Sequence, residues 1–262
     1  MGADAGEVML RRRCFCNSQL SGLTLTAGAL RRSFMLPWIH IDTAKAPGGG
    51  DMRLIRRGDE FSIMLGNIAL MNSRLSGSEE AMAQLSARRL ANVEAPEILI
   101  GGLGMGFTLR AALDAFTARA QITVAELVPA VAQWARGPMG ELFGDCLDDR
   151  RVSIEITDAG AMIRTAQRAY DAILLDTDNG PEGLTRPAND ALYSQAGLAA
   201  ALRALRPGGH LAIWSQGPDE KFTKRLQRAG FETSEERVRA HRGKRGARHV
   251  IWFAQKPRSQ KK

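Results

Sequence analysis

Hydrophobic and polar positions between residues 38 and 73 form four short runs with the length and turn residues of β-strands. These runs lie at 38–44, 52–59, 60–66 and 68–73, and glycine-containing turns join them. The pattern predicts a small antiparallel β unit, to which we assign residues 35–77. Apolar positions at helical spacing follow at 78–93, where they predict a helix with Ser78 as its cap.

From residue 97 onward, nearly continuous apolar runs alternate with runs of helical period. The apolar runs predict strands at 97–102, 122–127, 151–158, 170–176, 210–216, 231–238 and 248–255. The runs between them predict helices at 107–116, 129–136, 159–169, 189–205 and 220–230, the fourth ended by the segment Arg206-Pro207-Gly208-Gly209. This alternation predicts an α/β fold in 78–257, with a doubly wound, mostly parallel, seven-stranded sheet of the Rossmann-like type. The last two strands have no helix between them and should be antiparallel neighbours.

The positive charge of the chain is concentrated at its two ends. The net charge is +8, yet residues 1–34 contain five arginines against two acids, and 237–262 contain ten Lys or Arg and no acid. The stretch between them is therefore mildly acidic. Because charge confined to the ends is a weak argument for nucleic-acid recognition, we expect no nucleic-acid partner. Residues 1–34 are predicted to be a disordered extension, with a targeting segment as the alternative, and 258–262 a basic tail.

Composition excludes several other classes of protein. No run of about 18 apolar residues is present, so we expect no membrane association. The three cysteines, Cys14, Cys16 and Cys146, cannot build a disulfide framework, and no histidine has the spacing of a zinc site. We therefore predict a cytoplasmic protein without a metal.

Glycines or acids occupy the carboxyl ends of the first four predicted parallel strands. The first strand runs into Gly101, Gly102, Gly104 and Gly106, the second ends in Glu126, the third in Asp158, and the fourth in Asp176 and Asp178. In a doubly wound sheet these ends line the ligand crevice. A single acid at such a place can be a helix cap, an alternative that stays open for Asp158. Four strand ends with the same character predict a ligand site.

The spacing of the glycine loop argues against a dinucleotide ligand. A dinucleotide motif that began Gly102-x-Gly104 would need a glycine at the position of Phe107. The loop therefore fits better a ligand without a pyrophosphate, such as an adenosyl sulfonium compound.

Two further strand ends suit the nucleoside part of such a ligand. The carboxylate of Glu126 can accept both ribose hydroxyls, which it would do for NAD and for an adenosyl ligand alike. Asp158, followed by the small Ala159, suits the exocyclic amino group of adenine.

Residues 38–255 resemble the spermidine synthase (polyamine aminopropyltransferase) family, within the class I adenosylmethionine-transferase fold. The blocks that carry the resemblance, in order, are ILIGGLGMGFTLR, VAELVPAVAQWAR, YDAILLDTDNGP and LYSQAGLAAALRALRPGGHLAIWSQ. The resemblance implies a transferase in which Glu126 holds the ribose, Asp158 holds the adenine and Asp176 is the base beside the sulfonium. It also implies a homodimer.

Aminopropyl transfer explains why acids would be needed at this site. The attacking amine is protonated in water, with a pKa of about 10, and must lose a proton before it attacks. Asp176 can take that proton, while Asp178 helps to hold a cationic amine. Glu79 and Tyr193 are the further residues that we expect to contact the acceptor, with core packing as an equal alternative for Tyr193. The expected donor is decarboxylated S-adenosylmethionine or S-adenosylmethionine itself.

The sequence departs from the family pattern in ways that keep alternatives open. The family usually has an aspartate in the glycine loop, where this chain reads Gly-Gly-Leu-Gly-Met-Gly. Methyl transfer from ordinary S-adenosylmethionine to an unknown acceptor is therefore an alternative, as is a non-catalytic adenosyl-binding protein. The retained Glu126, Asp158 and Asp176 argue against the non-catalytic alternative.

The remaining polar and aromatic candidates receive weaker predictions. His40, His210, His241 and His249 are predicted to be satisfied or solvated side chains, and Trp134 and Trp214 to be core residues. Ser215 and Gln216 end a predicted strand and are candidates for substrate contact.

Overall fold

The computed structural model describes residues 36–74, 76–176, 191–239 and 248–258. Four predictions concern residues outside these ranges: the disordered extension at 1–34, the amine-binding role of Asp178, the state of His241 and all but the first residue of the basic tail. Those predictions stay predictions.

The first four strands form a separate antiparallel sheet, as the sequence predicts. They are β1 (Ile39–Lys45), β2 (Asp51–Arg57), β3 (Glu60–Leu65) and β4 (Ile68–Asn72), in the spatial order β1-β2-β3-β4. Alternate residues of β2, Met52 and Leu54, are buried with Phe61 and Ile63 of β3, so this small sheet packs one face onto the core.

The main sheet has seven strands, which confirms the predicted fold class. They are β5 (Glu97–Gly101), β6 (Gln121–Glu126), β7 (Val152–Ile156), β8 (Tyr170–Leu175), β9 (Leu205–Ser215), β10 (Glu232–Arg239) and β11 (Arg248–Gln255). Their spatial order is β10-β11-β9-β8-β5-β6-β7. Strands β5 to β9 are mutually parallel, and β11 pairs antiparallel with both β9 and β10. The strand order reverses between β5 and β8, which is where a doubly wound sheet opens a crevice.

Helices cover both faces of the main sheet. They are α1 (Gly77–Arg89), α2 (Phe107–Ala115), α3 (Pro129–Arg136), α4 (Gly140–Phe143), α5 (Ala159–Thr165), α6 (Gln195–Ala204) and α7 (Glu220–Arg228). One buried cluster lies around Trp134 and Phe143, and a second around Phe222 and Trp252. The sequence pattern missed α4 because a single turn is too short to show a period. Within the described ranges, every helix falls short of the length and apolarity that crossing a bilayer requires.

The predicted cap of the first helix is wrong. Helix α1 begins at Gly77, and the cap position is Ser76, whose carbonyl accepts a hydrogen bond from the Glu80 N–H at 3.0 Å. Ser78 lies inside the first turn and is buried, and its hydroxyl donates to the Glu79 carboxylate instead.

The predicted long helix at 189–205 is interrupted, since residues 191–193 are helical and the helix breaks at Ser194. Helix α6 begins at Gln195, because the Ser194 hydroxyl accepts a hydrogen bond from the Gly197 N–H at 3.1 Å and caps a new start there.

The segment 206–209 is also not a simple helix stop, since it forms the beginning of β9. Arg206 Nη1 lies 2.6 Å from Asp171 Oδ2 on the neighbouring strand, which anchors this entry into the sheet. The backbones approach so closely that a Cβ on Gly209 would lie 2.8 Å from the Asp171 carbonyl oxygen. This contact requires glycine at position 209.

Candidate active site

A cavity of about 390 Å³ lies at the carboxyl ends of the parallel strands, beside the point where their order reverses. The small sheet forms one wall with Met52, Ile63, Ala69, Leu70, Met71 and Asn72. The opposite wall comes from the loops that follow the parallel strands, together with the start of α1. A volume in this range suits a small-molecule ligand.

The Glu126 carboxylate ties together the two loops at the floor of the cavity. It is 6% exposed, and its Oε2 accepts a hydrogen bond from the Leu103 N–H at 2.9 Å while Oε1 accepts from the Val128 N–H at 2.7 Å. These two bonds orient the Glu126 carboxylate between the loop that follows β5 and the loop that follows β6.

Two of the four predicted glycines lie on the cavity wall. Gly102 and Gly104 have φ of 98° and 52°, and a Cβ on Gly102 would lie 3.1 Å from the Asp176 carbonyl oxygen. Glycine is needed in this left-handed conformation so that the loop can turn beside the cavity.

Gly101 and Gly106 are not among the described residues that line the cavity, and their contact with the ligand stays a prediction. Gly101 lies inside β5, where a Cβ would be 2.9 Å from the Leu175 side chain. Gly106 precedes α2 with φ of 73°, and a Cβ there would lie 2.4 Å from the Phe143 ring. Both glycines serve close packing behind the loop.

Asp158 is a helix cap, which the sequence left open, and it also lies on the cavity wall with Ala159. Its Oδ1 accepts from the Gly160 N–H at 2.9 Å and its Oδ2 from the Ala161 N–H at 3.1 Å, at the start of α5. The cap fixes the carboxylate at the edge of the cavity. Its contact with adenine stays a prediction.

Asp176 lies directly after β8 and lines the cavity. Its Oδ2 accepts a hydrogen bond from the Thr108 hydroxyl of α2 at 2.8 Å, and its N–H donates to the Gly101 carbonyl at 3.3 Å. These bonds hold the carboxylate at the strand end, beside the glycine loop.

A polar cluster on the cavity wall joins two neighbouring residues of α1, Ser78 and Glu79, with His249 from the far end of the chain. The Ser78 hydroxyl donates to Glu79 Oε2 at 2.7 Å, and His249 Nδ1 lies 3.0 Å from the same hydroxyl oxygen. Burial raises the pKa of Glu79 above its ordinary value, and burial lowers the pKa of His249. The predicted substrate residue Glu79 therefore lies on the cavity wall, together with a histidine that sequence reasoning placed elsewhere.

His249 was missed because the sequence does not show strand order. It lies on β11, which the sequence predicts as the last strand but cannot place beside β9. In the structure, the His249 and Trp214 rings pack nearly perpendicular to each other, with a centroid distance of 4.8 Å. Trp214 and Gln216 also line the cavity, so Trp214 is not solely the core residue that was predicted.

Burial bears on two other residues. Tyr193 is 1% exposed and packs against Phe222 with a ring centroid distance of 5.8 Å, which favours the core-packing alternative, and its neighbour Leu192 lines the cavity. His210 was expected to be satisfied or solvated, but it is 1% exposed and no described residue bonds its Nε2. Burial lowers the pKa of His210 to about 3, so this imidazole is neutral.

The described residues contain no group of three or more His, Cys, Asp or Glu side chains placed to hold a metal ion.

The fold and the cavity define the class of protein: an α/β protein with a ligand crevice at a topological switch point, lined by strand-end carboxylates and a glycine turn. A family model described as the Spermine/spermidine synthase domain matches residues 77–228, which is more than half of the chain. The chain belongs to this family, and the resemblance expected from the sequence is confirmed.

Curated relatives agree with the family model over part of their length. The chain is 31% identical over 147 residues to Polyamine aminopropyltransferase 1 of Streptomyces coelicolor, a match that covers 53% of this chain and 27% of that protein. A match to the Polyamine aminopropyltransferase of Sulfolobus acidocaldarius is 31% identical over 134 residues and covers 49% of this chain and 42% of that protein. The matched region thus spans less than half the length of either relative.

Solved structures show the same fold. A spermidine synthase in complex with the transition state analogue AdoDATO is similar with a TM-score of 0.62 and 17% identity, covering 83% of this chain and 72% of that chain. The spermidine synthase from Thermotoga maritima has a TM-score of 0.62, 18% identity and the same coverage, 83% and 72%.

Proposed function

We propose that the chain is an aminopropyltransferase that uses decarboxylated S-adenosylmethionine as the donor and a primary amine as the acceptor. One observation carries the proposal. The side chains with a full formal charge on the described part of the cavity wall are all carboxylates, from Glu79, Glu126, Asp158 and Asp176, with neither Lys nor Arg among them.

This charge pattern favours a decarboxylated donor and a cationic acceptor. Ordinary S-adenosylmethionine carries a carboxylate, which is costly to bury unless a cation or several N–H groups meet it. Its decarboxylated form ends in an ammonium group, which an acidic wall attracts. Methyl transfer from the ordinary form is the alternative outcome, and the described wall offers its carboxylate no cationic side chain.

The nucleoside half of the donor is assigned to the loops after β5, β6 and β7. We assign the ribose hydroxyls to Glu126 and the adenine amino group to Asp158, with Ala159 leaving room beside the ring. Gly102 and Gly104 allow the backbone to approach the sulfonium end of the donor. The predicted domain at 78–257 would thus hold the donor, and the β unit at 35–77 would close over it.

The reaction follows from the position of Asp176. The acceptor ammonium loses a proton to the Asp176 carboxylate, and the freed nitrogen lone pair attacks the propyl carbon next to the sulfonium. A carbon–nitrogen bond forms as the carbon–sulfur bond breaks. The electron pair of the broken bond moves onto the sulfur, which becomes a neutral thioether. The products are methylthioadenosine and the lengthened amine. Asp178 is proposed to hold the acceptor, and family resemblance supports a cytoplasmic homodimer.

Calorimetric titration with the two forms of the donor tests this proposal. We expect the decarboxylated form to bind at least about tenfold more tightly, since one unfavourable buried charge is worth more than 1.4 kcal/mol. Preference for ordinary S-adenosylmethionine would contradict aminopropyl transfer and support methyl transfer. Binding of neither form would contradict both reactions.

A further inference from the structure

The hydrogen-bond directions in the Glu79–Ser78–His249 cluster determine which nitrogen of the imidazole carries the proton. A serine hydroxyl has one hydrogen, and Ser78 donates it to Glu79 Oε2 at 2.7 Å. His249 Nδ1, 3.0 Å from the same oxygen, must then be the donor. In the neutral imidazole this leaves Nε2 with a lone pair and no hydrogen.

The cluster is held in place by packing as well as by hydrogen bonds. The edge-on Trp214 ring fixes one side of the His249 ring, and Ser78 is buried in the first turn of α1. Three elements that are distant in sequence, α1, β9 and β11, therefore meet at this end of the cavity. The meeting point brings the Glu79 carboxylate and the His249 imidazole onto the same part of the cavity wall.

We propose that His249 is a specificity-determining residue that accepts a hydrogen bond through Nε2 from a second cationic nitrogen of the acceptor amine, beside the Glu79 carboxylate. The inference rests on the proposed function, because it concerns the acceptor of the same cavity. Under this proposal, His249 and Ser78 make the protein prefer an amine with at least two nitrogens to a monoamine of the same length.

Two features make the imidazole suitable for this role. A neutral imidazole accepts a hydrogen bond from an ammonium group, whereas an imidazolium would repel it, and partial burial favours the neutral form of His249. The bond from Nδ1 to Ser78 keeps the lone pair on Nε2 rather than on Nδ1. Ser78 is thus a positioning residue, which acts through His249 and Glu79.

The test compares 1,4-diaminobutane with butylamine as acceptors for the full chain. His249→Phe keeps a ring against Trp214 but removes both nitrogens. We expect it to lower the ratio of kcat/KM for the diamine to that for the monoamine at least about tenfold, the effect of one hydrogen bond to a charged group. His249→Gln, which returns an acceptor near the Nε2 position, should recover most of the ratio.

The matched control is His40→Phe, which changes an exposed histidine of the small sheet that bonds Thr43 and does not line the cavity. Its ratio should equal that of the wild-type protein. Ser78→Ala provides a second variant in case His249→Phe does not fold. It should lower the same ratio, because without the Ser78 hydroxyl the imidazole proton is no longer held on Nδ1. A ratio within twofold of wild type in the folded variant, or an equal loss for both amines, would overturn the proposal.

Equilibrium binding separates this inference from the proposed function. Calorimetric titration of the diamine in the presence of methylthioadenosine needs no turnover. Diamine binding about tenfold weaker in His249→Phe than in the wild type supports the role of His249 even if no transfer is detected. Equal diamine binding in the two proteins overturns the role of His249, whether or not transfer from the donor is detected.

Discussion

The Thr108 hydroxyl, in the first turn of α2, donates a hydrogen bond of 2.8 Å to Oδ2 of Asp176 at the end of β8. Thr108 is 3% exposed, so this bond is protected from water. The glycine loop between β5 and α2 ends at Gly106, one residue before the helix that carries Thr108. The loop that shapes the donor side of the cavity therefore also orients the proposed base.

Thr108→Val should lower kcat with little change in the KM of the donor. Valine has nearly the shape of threonine and removes only the hydroxyl, so the Asp176 carboxylate loses one fixed partner. We expect a decrease in kcat of roughly tenfold, the effect of one hydrogen bond to a charged group. Steady-state kinetics with saturating amine measures it.

Thr108→Ser is the matched control, since it keeps the hydroxyl and should restore most of kcat. A role in packing alone would show the opposite pattern, with Thr108→Ser as damaging as Thr108→Val or with a lower melting temperature and an unchanged kcat.

Glu126→Ala should weaken nucleoside binding and lower stability together. The Glu126 carboxylate accepts from the Leu103 and Val128 N–H groups, so its removal leaves two donors without that partner and takes away the proposed ribose contact. We expect the Kd of methylthioadenosine to rise at least about tenfold. Glu155→Ala, an exposed acid on β7, is the control and should leave this Kd unchanged. Unchanged affinity in Glu126→Ala would refute the ribose assignment.

The affinity for a cationic amine should rise with pH through the titration of Glu79. Burial raises the pKa of Glu79, so this carboxyl keeps its proton to a higher pH than an ordinary glutamate. Below that pKa the group is neutral and does not attract an ammonium, and above it the carboxylate does. Diamine binding measured between about pH 5 and pH 8 should therefore strengthen with pH.

Glu79→Gln tests whether Glu79 is the source of that pH dependence. The amide cannot ionise, so diamine binding should be weaker across the same pH range, and only the smaller rise that comes from deprotonation of His249 should remain. A pH dependence as steep as that of the wild type in this variant would assign it to another group.

The Asp171–Arg206 pair, at the end of the sheet away from the cavity, should affect the stability of the fold without affecting the site. The Asp171 side chain is 10% exposed, pairs with Arg206 at 2.6 Å and accepts from the Glu97 N–H at 2.8 Å. Asp171→Ala leaves both partners unpaired, and we expect it to lower the free energy of unfolding by about 2–4 kcal/mol. Urea denaturation measures this change.

The surface pair Lys45–Asp51 provides the comparison, with side chains 82% and 54% exposed. Asp51→Ala should cost less than about 1 kcal/mol, because water screens an exposed pair. Equal losses of stability in Asp171→Ala and Asp51→Ala would contradict the structural role of the Asp171 pair.

The sequence located the strand-end acids of the cavity wall better than the residues that other elements bring to it, for a topological reason. Glu126, Asp158 and Asp176 follow successive parallel strands, and the ends of parallel strands meet at the same edge of a sheet whatever their order. His249 reaches the cavity only because β11 inserts between β9 and β10, which no local pattern reveals. The sequence left Tyr193 open between the site and the core, and it did not show the new helix start that Ser194 caps beside it, a feature that periodicity alone does not show.

Product analysis tests the central claim most directly. The protein is incubated with 1,4-diaminobutane and with each form of the donor, and the amine product is identified by mass spectrometry, with Asp176→Asn as the control. The account predicts a diamine lengthened by one aminopropyl group and methylthioadenosine from the decarboxylated donor, and no product from Asp176→Asn. A methylated amine formed from ordinary S-adenosylmethionine, or an unchanged product yield in Asp176→Asn, would contradict it.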